Sequence, residues 1–120
     1  MKKNNVAIIQ ARMSSKRLPG KVLMEVDGVP LLEIMLSRVK KSKKVNNIVI
    51  ATTGSRQDND IINFCKKYNY NYFIGSENDV LSRYYFCAKE FKADVIIRLT
   101  ADCPLIDHNI IDDVISLFYT

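Results

Sequence analysis

Glycine is scarce in this sequence, four residues in 120, and the four form neither a GxGxxG fingerprint nor a complete P-loop. A phosphate group cradled mainly by glycine backbone is thereby excluded. Cysteine is scarce too. Cys65, Cys87 and Cys103 are odd in number, widely spaced and without a CxxC pair. That arithmetic excludes a disulfide framework and a zinc site, and Cys65 and Cys87 are expected to be reduced and buried. The single histidine, His108, stands five residues after Cys103 with no third group to orient it, a poor nucleophile–base pair. It is expected in the first turn of the last helix, facing solvent. No apolar run approaches the roughly 20 residues of a membrane-spanning helix. The stretch after Lys2 and Lys3 is too short for a signal peptide. A cytoplasmic protein without a membrane partner is the expectation. Repeats and low-complexity tracts are absent as well.

What is present is ordinary for one soluble globular domain: 48% hydrophobic and 26% charged residues. The charge, +5 net, is unevenly placed. Six basic residues and no acidic ones fall within positions 1 to 21. A second cluster, RVKKSKK at 38–44, sits at an expected helix end, where cations complement the helix dipole and are solvated. The first cluster is compact, which suits one multiply charged anion better than a polymer. The tyrosines fall at helix-core spacing and in YNYNYF, not as platforms between cations, so nucleic acid is not expected as a partner.

Strand and helix signals alternate along the chain. Short apolar runs predict strands over 5–10, 47–53, 71–75 and 94–99. Helical spacing predicts helices over 30–42, 58–68, 76–91 and 107–118. The expected buried faces are Leu31, Leu32, Met35, Leu36 and Val39 in the first helix, and Ile61, Ile62 and Cys65 in the second. The third offers Leu81, Tyr84, Tyr85 and Ala88, and the last, capped by Asp107, offers Ile110, Ile111, Val114, Ile115 and Phe118. No hairpin signal is read between apolar runs. The alternation implies βαβ units, hence an α/β fold with a mostly parallel sheet covered by helices on both faces. With only these strands in the sheet and the chain ending after an amphipathic helix, 1–120 is expected to be the front part of a larger domain.

Ligands of such sheets bind beyond the carboxyl ends of the strands. The loop there after the first strand, QARMSSKRLPGK at 10–21, offers Arg12, Lys16, Arg17 and Lys21, with Pro19-Gly20 turning Lys21 back toward the strand end. Guanidinium and ammonium groups bind phosphate by charge-assisted hydrogen bonds, and a triphosphate carries about four charges near neutral pH. The competing reading is a solvated basic loop. After the fourth strand, Asp102 is a carboxylate free to hold Mg²⁺ across phosphate oxygens, since Asp107 already serves as a helix cap. A strand-end Asp is equally a common turn former.

Four stretches, IIQARMSSKRLPGKVL, IVIATT, GSENDVLSRYY and IIRLTADCPLID, together resemble the cytidylyltransferase family of CMP-sugar synthetases. The nearest resemblance is to its spore coat polysaccharide biosynthesis (SpsF) branch, with acylneuraminate and 3-deoxy-manno-octulosonate cytidylyltransferases further off. The resemblance implies a three-layer α/β/α sandwich of the Rossmann-like nucleotide-diphospho-sugar transferase type. It also implies an activity, attack of an acidic sugar's hydroxyl on the α-phosphate of CTP with release of pyrophosphate, and Mg²⁺ as cofactor. By position, Arg12 and Lys21 match the catalytic cations that hold the triphosphate, with Arg17 assisting. Gln10 and Ala11 match strand-end positions near the nucleotide, and Ala51, Thr52 and Thr53 the loop beside base and ribose. Ser76, Asp79 and Arg83 match a segment facing nucleotide or sugar, and Asp102 matches the metal-binding aspartate. Cys103 stands where relatives often carry an acid. Members of the family are longer than this chain, and their further part supplies sugar contacts, another metal ligand and a homodimer surface. Two alternatives remain at this point: use of another nucleoside triphosphate, and a nucleotide-binding module without catalysis.

Overall fold

A computed structural model describes residues 3–13, 20–101 and 105–119. Along them run β1 (Asn5–Gln10), a small hairpin of β2 (Glu25–Val26) and β3 (Val29–Pro30), and α1 (Leu31–Val39). Then follow β4 (Asn47–Thr53), α2 (Asn59–Tyr68), β5 (Asn71–Gly75), α3 (Val80–Glu90), β6 (Val95–Thr100) and α4 (His108–Phe118).

β1, β4, β5 and β6 form one parallel sheet in the order β5-β4-β1-β6. β1 is central, with Ile8 paired to Val49 on one side and Arg98 on the other. A parallel strand between two others is buried on both faces and must be apolar throughout. Val6, Ala7, Ile8 and Ile9 meet that demand and are fully buried. The pleat turns Ala7 and Ile9 toward a core built with α1, α2 and α4, and Val6 and Ile8 toward a second core under α3. Helices therefore cover both faces, the three-layer arrangement expected. Each fully buried Ile, Leu or Val contributes about 1.5–3 kcal/mol. Cys65 and Cys87 are free thiols buried one in each core.

Three expectations are corrected. The chain does contain a hairpin: Asp27 (φ 52°) and Gly28 (φ 81°) link β2 to β3. Two residues at positive φ make the type I′ turn that matches strand twist, and Asp-Gly favours it. In α3, Tyr84, Cys87 and Ala88 are buried, but Leu81 and Tyr85 are exposed and the helix buries Arg83 in their place. In α4, Ile111 and Ile115 enter the core while Ile110, Val114 and Phe118 are 57–67% exposed. That outer face of α4 and the free edge of β6 line a groove of about 470 Å³. His108 opens α4 as expected but is half-buried.

Basic residues after α1 are held through their backbone. Lys43 and Lys44 donate their N–H groups to the Asp112 carboxylate (3.1 and 3.2 Å), and Ser42 donates its hydroxyl to the same group.

Candidate functional site

Because the sheet is parallel, β1, β4, β5 and β6 all end on one side. Two hydrogen bonds extend the pairing beyond β1. Ala11 donates to the Ala51 carbonyl and Ala101 donates to the Gln10 carbonyl, each at 3.0 Å. Gln10, Ala11, Arg12, Ala51, Thr52 and Thr53 are thus brought together. Ala51, Thr52 and Thr53 are fully buried.

The basic loop that leaves β1 is pinched at its base. Met13 donates its N–H to Asp58 Oδ1 (2.8 Å) and accepts the N–H of Gly20 on its carbonyl (2.7 Å). Gly20 adopts a left-handed φ of 77°, a conformation open to glycine without strain. Arg12 immediately precedes the pinch, and Lys21, which opens a single 3-10 turn (Lys21–Leu23), immediately follows it. Two cations far apart on an open loop are therefore delivered to the same end of the sheet. Arg17 lies outside the described residues, as do Asp102 and Cys103.

Arg83 is fully buried although it carries a guanidinium. Its Nε donates to the Ser76 carbonyl (2.9 Å) and its Nη2 to the Glu77 carbonyl (3.3 Å). Gly75, paired to Thr53, leaves the space that the Arg83 stem fills. Burial is the main cause that lowers the Arg83 pKa, and the Arg12 charge lowers it further, while Tyr84 and Asp58 act in the opposite sense. Ser76 and Asp79 do local work: Asp79 accepts the N–H of Ser82 (3.0 Å) as the cap of α3, and Ser76 Oγ accepts the N–H of Asp79 (3.1 Å).

Among the described residues, Arg12 Nε, Thr52 Oγ1 and Arg83 Nη1 are buried at this end of the sheet without a hydrogen-bond partner. Buried polar atoms nearly always have partners, so such a set marks a place where a ligand's acceptors fit. The carboxylate of Asp58 is already engaged through both oxygens, by Met13 N–H and the Thr53 hydroxyl. No group of three His, Cys, Asp or Glu side chains suited to a metal ion occurs among the described residues.

The sequence profile of the cytidylyltransferase family matches residues 6–118. The chain belongs to the cytidylyltransferase family. It is 48% identical over 107 residues to an uncharacterised protein of Methanocaldococcus jannaschii, covering 89% of this chain and 44% of that one. It is 41% identical over 116 residues to the spore coat polysaccharide biosynthesis protein SpsF of Bacillus subtilis, covering 93% and 48%. To the 3-deoxy-manno-octulosonate cytidylyltransferase of Chloroherpeton thalassium it is 32% identical, covering 94% and 45%. Among solved structures, a cytidylyltransferase from Leptospira borgpetersenii superposes with a TM-score of 0.92 at 42% identity, covering 98% of this chain and 50% of that one. The chain thus spans a little under half the length of these curated relatives.

For this member of the cytidylyltransferase family, sequence reasoning missed Asp58. It stands at the end of a 3-10 turn (Arg56–Asp58) before α2, and only 1% of it is exposed. In the sequence nothing separates it from Asp60 two residues on, because its decisive contact is with Met13, 45 residues earlier. The burial of Arg83 was equally invisible. An arginine at helical spacing reads as a solvent-facing residue unless the space beneath Gly75 is known.

Proposed function

We propose that the chain is the nucleotide-binding part of a CTP-dependent sugar cytidylyltransferase that serves surface polysaccharide or glycan synthesis. In the reaction a hydroxyl of an acidic sugar attacks the α-phosphate of CTP, CMP is transferred to the sugar, and pyrophosphate leaves. The observation that carries this reading is the set of buried, unpartnered donors of Arg12 and Arg83 beside the pinched basic loop. Two guanidinium groups with unpartnered buried donors at one end of the sheet gain when a polyanion arrives. Membership of the family supports CTP as that polyanion.

Nucleotidyl transfer needs mainly positioning and charge stabilisation. Arg12 and Lys21, on either side of the pinch, would neutralise the triphosphate and then the departing pyrophosphate. Thr52 Oγ1, a buried hydroxyl without a partner among the described residues, suits a hydrogen bond to base or ribose, with Gln10, Ala11, Ala51 and Thr53 forming the surrounding wall. Magnesium is proposed at Asp102, outside the described residues. The described ones gather no metal cluster, so the charge stabilisation argued from geometry rests on Arg12, Arg83 and Lys21.

Calorimetric titration with CTP, UTP, GTP and ATP in the presence of Mg²⁺ tests the reading. CTP should bind most tightly, and Lys21→Ala should weaken it by about tenfold, the effect of losing one charge-assisted contact. Absence of binding by any nucleotide would remove the site. Pyrophosphate release with acidic sugars then tests the transfer step.

A further inference from the structure

We infer that Asp58 is the positioning residue of the basic loop: it holds the loop base through Met13 so that Arg12 and Lys21 face one polyanion. The inference rests on the nucleotide reading above and assigns a role to a residue outside the set that resembles the family's motifs.

Four observations lead to it. Asp58 is a buried carboxylate, and burying a charge is costly unless its oxygens are satisfied. Its oxygens are satisfied, but not in the way its position suggests. It precedes α2, yet its side chain makes no capping bond to that helix. It reaches instead to Met13 N–H on one oxygen and to the Thr53 hydroxyl on the other. Thr53 is itself fixed, because its Oγ1 accepts the N–H of Ser55 (3.1 Å), while Asp58 N–H donates to the Ser55 carbonyl (2.9 Å). Asp58 is thus anchored firmly to the end of β4 and extends one acceptor across to the chain leaving β1.

That acceptor lands on the residue that closes the loop. Met13 is bonded to Asp58 by its N–H and to Gly20 by its carbonyl, so a single peptide segment relays the position of β4 to both arms of the loop. Arg12 and Lys21 are the residues next to the two ends of that relay. The charge of Asp58 has a second effect. It counters the depression of the Arg83 pKa, so it helps keep a cation charged in a fully buried place, where the Arg12 charge works against it. Each oxygen of Asp58 already accepts a hydrogen bond from the protein, which fixes the carboxylate in place. Positioning is the role its geometry supports.

The test compares the 120-residue chain with its Asp58→Ala, Asp58→Asn and Thr53→Val variants, with CTP and CMP as probes, both with Mg²⁺. Asp58→Ala should weaken CTP by about tenfold or more and CMP by at most about threefold, because the loop holds the outer phosphates. Asp58→Asn keeps an acceptor for Met13 N–H and should recover most of the CTP affinity. A general loss of structure would not separate CTP from CMP. Hydrogen exchange adds a readout free of ligand: the Met13 amide should exchange faster in Asp58→Ala, with the Ala11 and Ala101 amides unchanged. If Asp58→Ala does not fold, Thr53→Val, which frees the far oxygen and the Ser55 N–H but keeps the Met13 bond partner, should still accelerate Met13 exchange and weaken CTP more than CMP. Equal losses for CTP and CMP, or unaltered Met13 exchange, overturn the inference. Should the wild-type chain bind no nucleotide, the function fails, while the exchange result still decides the pinch.

Discussion

Gly75 and Arg83 share one space: a Cβ built on Gly75 would lie 2.6 Å from Cγ of Arg83 and 3.0 Å from Cε2 of Phe73. The conflict is one of room, since a stem of a fully buried side chain has nowhere to retreat. Gly75→Ala should destabilise the fold by about 1–3 kcal/mol, the range for overpacking a core. It should also loosen the bonds from Arg83 to the Ser76 and Glu77 carbonyls. Urea denaturation measures the first effect, and hydrogen–deuterium exchange over residues 76–79 the second. An unchanged midpoint would show that Arg83 can be displaced cheaply.

Alkaline stability follows from the two buried thiols. Burial pushes Cys65 up to about 12, and burial with the nearby Glu90 charge pushes Cys87 up to about 12. The unfolded chain releases these protons near the ordinary thiol value and the native chain does not. Folding stability is therefore complete below about pH 8.5 and falls as pH rises from there toward 12, by about 1.4 kcal/mol per pH unit per thiol. Cys65→Ala with Cys87→Ala should flatten the alkaline limb of a denaturation-midpoint profile, whatever it does to stability at pH 7. Native thiols should also react slowly with a disulfide reagent at pH 8.

Asp112 contributes to the acid side of the same profile. Its partial burial works to raise its pKa, but the Ser42 hydroxyl, the Lys43 and Lys44 amides and the His108 charge together hold it below the usual carboxylate range. A depressed carboxyl gives stability that is present above about pH 4 and is lost as pH falls through the native value. Asp112→Asn should lower stability at pH 7 by about 1 kcal/mol, the typical worth of such hydrogen bonds. The difference between variant and wild type should shrink near pH 3. A constant difference across that range would assign the effect to packing.

The exposed apolar face of α4 beside β6 should make the chain associate. Ile110, Val114 and Phe118 stand out from the helix next to the open sheet edge, and such edges attract other chains. Ile110→Lys with Val114→Lys should leave the thermal midpoint within a few degrees and shift sedimentation toward the monomer. Identical sedimentation of both proteins would show that the face is inert.

The parts of the fold written in local pattern were legible. NVAIIQ and NIVIATT carry continuous apolar runs that a parallel sheet with helices on both faces buries, whereas VIIRLT alternates half-buried and exposed residues. The hairpin at Asp27-Gly28 carried its turn signal but has flanks of two residues each, too short for periodicity to register. In α4 the amphipathic pattern revealed an apolar face wider than the part that Ile111 and Ile115 bury. Periodicity reports that a face is apolar, not what lies against it. At the candidate site, Arg12 and Lys21 could be named as candidates from their charge and place, and Thr52 from the resemblance. Asp58 could not, since its carboxylate acquires its role only when Met13, 45 residues earlier, meets it. Arg83 was named from the resemblance, but its burial beneath Gly75 could not be read from the pattern.

The central place of β1 sets an order of events during synthesis. β1 is made first, yet its two neighbours arrive late. Asn4 donates its N–H to Asp94 (2.6 Å) across 90 residues, and its side-chain amide donates to the Phe91 and Lys92 carbonyls. Until β4 leaves the ribosome β1, fully buried from Val6 to Ile9 in the fold, has no partner, and until β6 leaves it has only one. The nascent chain therefore carries an unsatisfied hydrophobic ribbon until β6 has been made, which makes early β1 a natural point of capture by chaperones. Codon changes that slow elongation between β1 and β6 should lower the soluble yield more than the same changes placed after β6.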